Sequence, residues 1–146
     1  MPENPPAGYS RITPYLLYED GAAAIEFLTR AFGFLERMRM PREDGGVAHA
    51  ELEFEGEVLM LGEPGDFASP ATSGVGSPVM VHIYVDDVDA HYARAKQAGA
   101  EITRELEDQF YGDRTYGAKD PEGIPWYFAQ HVRDVNPDEM KAATAG

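Results

Sequence analysis

The sequence predicts an α+β fold in which two tandem βαβββ modules form a curved mixed sheet around one shared cup. Three observations lead there. The chain repeats itself at an offset of 67 residues: Tyr18-Glu19-Asp20 falls on Val85-Asp86-Asp87, Gly45 on Gly112 and Glu55-Gly56 on Glu122-Gly123, while Gly33 and Gly99 match within one residue. Each half opens on an aromatic or β-branched run that ends in an acidic pair. Each half closes on three short extended segments separated by turn residues.

Taken in order, Ile12 to Tyr18 and Val79 to Val85 are the opening strands, and the acidic residues behind them supply helix caps. A helix follows in each half. From Ala22 to Phe32 the residues Ala24, Ile25, Leu28, Ala31 and Phe32 have helical spacing, Val88, Tyr92 and Ala95 repeat it, and Gly33 and Gly99 stand where left-handed caps are expected. The three extended segments of the first half are Leu35 to Met40, Val47 to Phe54 and Glu57 to Leu61, joined at the hairpin signals Asp44-Gly45-Gly46 and Glu55-Gly56. Those of the second are Glu101 to Leu106, Arg114 to Ala118 and Pro125 to His131. One domain spans 11–132, with module 1 at 11–62 and module 2 at 79–132; residues 1–10 are read as a flexible terminus. The Gly-, Pro- and Ser-rich stretch 63–78 is read as a linker or lid, and in the tail 133–146 Asn136 caps a short helix starting at Pro137.

Composition narrows the function classes. Twenty-six acidic residues against 12 basic ones give a formal charge of −14, which repels phosphate backbones and anionic headgroups, so neither nucleic acid nor membrane is an expected partner. No apolar run reaches the roughly 20 residues of a spanning helix, and Met1 to Gly8 lacks the pattern of a secretory signal. A soluble cytoplasmic protein is expected. The absence of cysteine excludes disulfides, thiolate metal sites and cysteine nucleophiles.

The repeat, together with Tyr111-Gly112-Asp113-Arg114, Asp120-Pro121-Glu122-Gly123-Ile124-Pro125-Trp126 and His49-Ala50-Glu51-Leu52 before Val58-Leu59-Met60-Leu61, resembles the vicinal oxygen chelate superfamily. That superfamily comprises the glyoxalases, bleomycin-resistance proteins and extradiol dioxygenases, and the G-D-R and D-P-x-G-x-x-W motifs are similar to those of a glyoxalase-like bacterial subgroup. The resemblance implies half-barrel modules, a homodimer and, in metal-dependent members, one ligand on the first and one on the last strand of each module. Carried onto this chain, those positions are Thr13, Met80, Met60 and Tyr127. Hydroxyl, thioether and unperturbed phenol are weak ligands for a hard or borderline divalent ion, so no metal and no other cofactor is expected.

If those four positions face the cup, strand alternation places Tyr15, Leu17, His82 and Tyr84 on the same face. The expected ligand-binding set is therefore Thr13, Tyr15, Leu17, Met60, Met80, His82, Tyr84 and Tyr127. Such a lining suits a planar, partly apolar organic molecule; the competing expectation is a cup filled by its own side chains. His82, His49 and Glu51 are the candidate catalytic residues, as a relocated metal site or as a general base held by a carboxylate. His91 is expected to be exposed on the second helix, and Trp126 to anchor helix packing. The leading expectation is a metal-independent small-molecule-binding protein of the drug- or metabolite-sequestering kind. The alternatives are a glyoxalase-like lyase or isomerase or a dioxygenase, and a dimer with no ligand.

Overall fold

A computed structural model describes residues 2–65 and 67–144. Met1, Asp66, Ala145 and Gly146, which belong to the expected terminus, linker and tail, lie outside the described residues. Module 1 consists of β1 (Tyr15–Leu17), α1 (Gly21–Phe32), β2 (Leu35–Pro41), β3 (Val47–Phe54) and β4 (Glu57–Gly62). Module 2 consists of β5 (Val81–Tyr84), α2 (Val88–Gln97), β6 (Glu101–Asp108), β7 (Asp113–Lys119) and β8 (Pro125–His131), and α3 (Pro137–Thr144) follows. Each module forms a four-stranded mixed sheet, ordered β1-β4-β3-β2 and β5-β8-β7-β6. In each, the first strand runs parallel to the last and the remaining pairs are antiparallel.

The repeat holds at the level of single hydrogen bonds. Tyr15 pairs with Met60 as His82 pairs with Tyr127, each residue 67 positions from its counterpart. The Asp20 carboxylate accepts from the Ala23 amide and Asp87 from Ala90, both at 3.0 Å, the expected capping by the acidic pairs. Behind them Glu63 accepts from Gly21 N and Gln130 from Val88 N, again at 3.0 Å, so a side chain just past β4 or within β8 ties down the helix of its own module. Gly33 closes α1 at φ 84°, a conformation in which a Cβ would clash with the backbone.

The opening strands are shorter than the sequence suggests. Pro14, which has no amide to donate, stands immediately before Tyr15, and only its carbonyl joins the ladder, accepting from Met60 N at 3.0 Å. Before β5, the Ser77 hydroxyl donates to Val79 O at 2.6 Å and folds that segment into a turn. The expected terminal helix forms, with Asn136 Oδ1 accepting from Glu139 N at 2.9 Å.

One contiguous core joins the modules. Alternation sends Ala50, Leu52, Leu59 and Leu61 of the first sheet and Tyr116, Ala118, Trp126 and Phe128 of the second into it, beneath the helices. Phe32 at the end of α1 is the pivot: its ring lies 4.8 Å from that of Phe128 and 5.2 Å from that of Trp126. His91 is half-buried here, correcting the expectation of an exposed helix residue. Its Nε2 donates to Phe32 O at 2.9 Å, and in the neutral form Nδ1 accepts from the Tyr116 hydroxyl at 2.6 Å. Burial holds its pKa below the usual imidazole value, outweighing the opposing pull of the Phe32 carbonyl.

Asp120, the first residue of the D-P-x-G-x-x-W motif, makes the second tie between modules. Its carboxylate is 4% exposed and accepts from the Tyr18 hydroxyl at 2.6 Å, Trp126 Nε1 at 3.0 Å and the amides of Glu122 and Ile124 at 3.1 Å. The Tyr18 hydroxyl is accordingly held far above its ordinary pKa, first by burial and then by the Asp120 charge. Two residues on, Glu122 accepts from the amides of Glu19 at 2.7 Å and Asp20 at 2.9 Å, at the entrance to α1. The motif is thus structural in this fold.

Candidate cup between the modules

With the helices on one side, the opposite face of each sheet is left open. Between β1 and β5 lies a cavity of about 520 Å³. Thr13, Tyr15, Leu17, Met80 and His82 line it, five of the eight residues expected to do so. At its base are Leu16, Val81 and Ile124, which also touch the core, and Pro70 and Ser77 of the connection between modules complete the wall. Met60, Tyr84 and Tyr127 lie outside this lining. Met60 is in register with both Tyr15 and Glu51, while the rings of Tyr84 and Tyr127 flank His82 at 5.2 and 5.5 Å.

The two faces carry different chemistry. On the first, His49 and Glu51 are spaced by two along β3 and share one side. Glu51 is 7% exposed, and His49, the largest influence, together with the Tyr9 hydroxyl, holds its carboxyl below the ordinary value. A carboxylate only accepts, so His49 Nε2 donates to Glu51 Oε2 at 3.0 Å, and the neutral imidazole accepts at Nδ1 from the Tyr15 hydroxyl at 2.9 Å. Tyr9 donates to the other carboxylate oxygen at 2.5 Å. The result is a hydrogen-bonded chain, Tyr15, His49, Glu51, Tyr9, with one end on the cavity wall.

On the second face, the Tyr127 hydroxyl bonds Thr115 Oγ1 at 2.9 Å and Tyr84 donates to Asp113 Oδ2 at 2.9 Å. Burial, followed by the hydrogen bond to Tyr127, pushes the Tyr111 phenol up to about 12. His131 spans Asp113 at 2.7 Å and Asp134 at 2.8 Å, and the two carboxylates, Asp134 foremost, raise its pKa. Arg114 is taken up by Asp89 at 3.1 Å and Asp108 at 3.2 Å, a surface ion pair on the helix side.

The expected grouping of His82 with His49 and Glu51 is therefore divided. His49 and Glu51 meet on the first sheet, whereas the ring partners of His82 are tyrosines of the second. Among the described residues no three His, Asp or Glu side chains converge as a metal site. Thr13, Met60, Met80 and Tyr127, at the positions where the superfamily places its ligands, are a donor set that does not fit a divalent metal. Sequence reasoning missed Tyr9, Tyr111 and Thr115. A lone tyrosine in the Pro-rich arm, between Gly8 and Ser10, was the one available signal for Tyr9.

Two βαβββ modules with an open cleft between their first strands define a fold class whose chemistry depends on the residues grafted onto it. This chain belongs to the Glyoxalase/Bleomycin resistance protein/Dioxygenase superfamily, whose sequence model matches residues 10–128. Uncharacterised proteins of Mycobacterium bovis and Mycobacterium tuberculosis are each 41% identical to it over 138 residues, 90% of this chain and 90% and 81% of theirs. Among solved structures, TioX from Micromonospora sp. ML1 superposes with a TM-score of 0.69 at 32% identity, covering 87% of this chain and 100% of that one. A lactoylglutathione lyase from Agrobacterium tumefaciens has the same fold, with a TM-score of 0.61 at 20% identity over 86% of this chain and 95% of its own. No described helix is long and apolar enough to cross a membrane.

Proposed function

We propose that this protein binds a planar, partly apolar organic molecule in the cup between β1 and β5 and holds it without a metal, in the manner of a drug- or metabolite-sequestering protein. The observation that carries the reading is the cavity itself: about 520 Å³, open, and walled by Tyr15, Leu17, Met80 and His82, with no converging metal donors among the described residues. Aromatic faces and an adaptable thioether give such a ligand contact area, and a few polar groups orient it. A panel of planar aromatic compounds, neutral and cationic, titrated into chelator-treated protein tests this. One equivalent bound per cup, with nothing consumed, is the expected result, and Tyr15→Ala and Met80→Ala should weaken it.

The hydrogen-bonded chain ending at Tyr15 favours a second reading. In it, a ligand proton passes to Tyr15 as the Tyr15 proton passes to His49, leaving an imidazolium held by Glu51, and the sequence reverses at a neighbouring ligand atom. The net change is an isomerisation by proton shift, which needs no co-reactant. It predicts turnover that is lost in His49→Ala with the fold intact. If His82 acts as the base instead, the loss follows His82→Ala. A homodimer completes the proposal, supported by Leu35 and Met40 on the edge strand β2, which are 64% and 52% exposed. Light scattering on the purified chain tests it.

A further inference from the structure

We propose that Glu51, His49 and Arg37 form a subsite for a hydroxyaryl group of the ligand, and that Tyr9 occupies this subsite as an internal stand-in in the free chain. The inference rests on the reading of the cup as a ligand site and names what one end of that site takes. Tyr9 already shows the fit: its hydroxyl donates to Glu51 Oε1 at 2.5 Å, and its ring lies beneath the Arg37 guanidinium at 5.2 Å.

Three features set Tyr9 apart from a structural side chain. It lies on an arm ahead of the first module, and the position 67 residues on is Gly76, so the second module has no counterpart. Among the described residues, the other hydrogen bonds of residues 2–13 stay inside the arm, running from Tyr9 N to Pro6 O, Arg11 to Asn4 O and Thr13 to Ser10 O. The phenol is thus the arm's one hydrogen bond to the body before Pro14. On either side of it the residues Ala7, Gly8, Ser10, Arg11 and Ile12 are exposed, with the apolar Ile12 at 90%, whereas Tyr9 is half-buried. An arm whose hydrogen bonding to the body rests on one phenol is loosened by competition for that bond.

The chemistry of the seat selects the competitor. Glu51 uses Oε2 for His49 and Oε1 for Tyr9, so departure of Tyr9 frees one acceptor oxygen that is still held in place by the imidazole. A fixed carboxylate takes a strong donor and repels anions, and the guanidinium takes the face of an aromatic ring. Phenols and other hydroxyaryl groups satisfy both. Through His49, whose Nδ1 accepts from the Tyr15 hydroxyl, the seat adjoins the cavity wall.

The test uses the full chain with Tyr9→Ala and p-cresol, the side chain that the substitution removes, followed through the backbone amide resonances of His49 and Glu51. Saturable binding at least ten-fold tighter than to the unaltered protein, absent with toluene and lost in the Tyr9→Ala/Glu51→Gln double variant, is the expected result. Tyr9→Phe, which keeps the ring and gives up the carboxylate contact, should bind p-cresol with intermediate affinity and covers the case in which Tyr9→Ala fails to fold. Equal affinity in variant and unaltered protein, or p-cresol shifts confined to β5, would overturn the proposal. If p-cresol misses Glu51 while planar aromatics bind the cavity, the subsite is wrong and the cup reading stands. If p-cresol binds at Glu51 while no compound of the planar aromatic panel binds the cavity, the cup reading fails.

Discussion

In module 1 the strand pair Tyr15 and Met60 borders a hydrogen-bonded chain through His49 and Glu51, whereas in the equivalent pair of module 2 the His82 ring meets those of Tyr84 and Tyr127 at a tilt. The ladders show where the difference arises. Glu51 lies opposite Met60, and the residue opposite Tyr127 is Gly117; two positions earlier, His49 is matched by Thr115. The backbone frame and its helix N-caps are shared, while the relay through His49 and Glu51 has no counterpart at the matching positions of module 2, where a different chain runs from Tyr84 through Asp113 to His131. A second asymmetry lies between the modules. Glu122 caps the entrance to α1, but among the described residues its counterpart Glu55 makes no such bond to α2, where a recess of about 270 Å³ bounded by Asp86, Asp87, His91 and Arg94 remains. The two halves share one scaffold and differ in chemistry at a few concave and seam positions.

The sharpest way to break this comparison is at Asp120, on which both modules depend. Asp120→Ala strands the buried Tyr18 hydroxyl and Trp126 indole, and a loss of about 3 kcal/mol or more is expected in urea unfolding. A weaker unfolding effect than that of an exposed substitution would show that the tie is dispensable. The seam asymmetry predicts a smaller contrast: Glu122→Ala should cost about 1 kcal/mol through the lost cap, whereas Glu55→Ala should leave stability unchanged. Equal effects would restore symmetry between the halves.

Two histidines sharpen the comparison by pH. The pKa of His91 is lowered by burial, so its contribution is present above the unfolded value of about 6.5 and fades as pH falls toward the lowered folded value. That of His131 is raised, so its contribution is full below about 6.5 and is lost as pH rises through the raised folded value. Imidazole resonances followed by NMR should titrate on opposite sides of that value. His91→Gln should flatten the acid side of the stability curve.

Much of this was legible because it is local or periodic. The acidic caps, the hairpin turns and the alternation that buries Leu59, Leu61 and Trp126 follow from residue types at fixed spacings. The inward side of His91 was not legible: helical spacing shows which residues share a face, but not that the end of α1 brings the Phe32 carbonyl onto that face. The division of His82 from His49 and Glu51 escaped for a similar reason, since the repeat aligns the two modules and does not say how their concave faces meet. Tyr9 escaped because a Pro-rich arm carries no periodicity, and one side-chain contact decides its place.

The central claim, metal-independent ligand binding in the cup, is tested most directly by titrating the planar aromatic panel into metal-stripped protein, with and without added Zn²⁺, Ni²⁺ or Fe²⁺. Saturation at one ligand per cup, with an affinity that the metals leave unchanged and that Tyr15→Ala weakens, is the predicted result. Binding or turnover that begins only when a metal is supplied would contradict it.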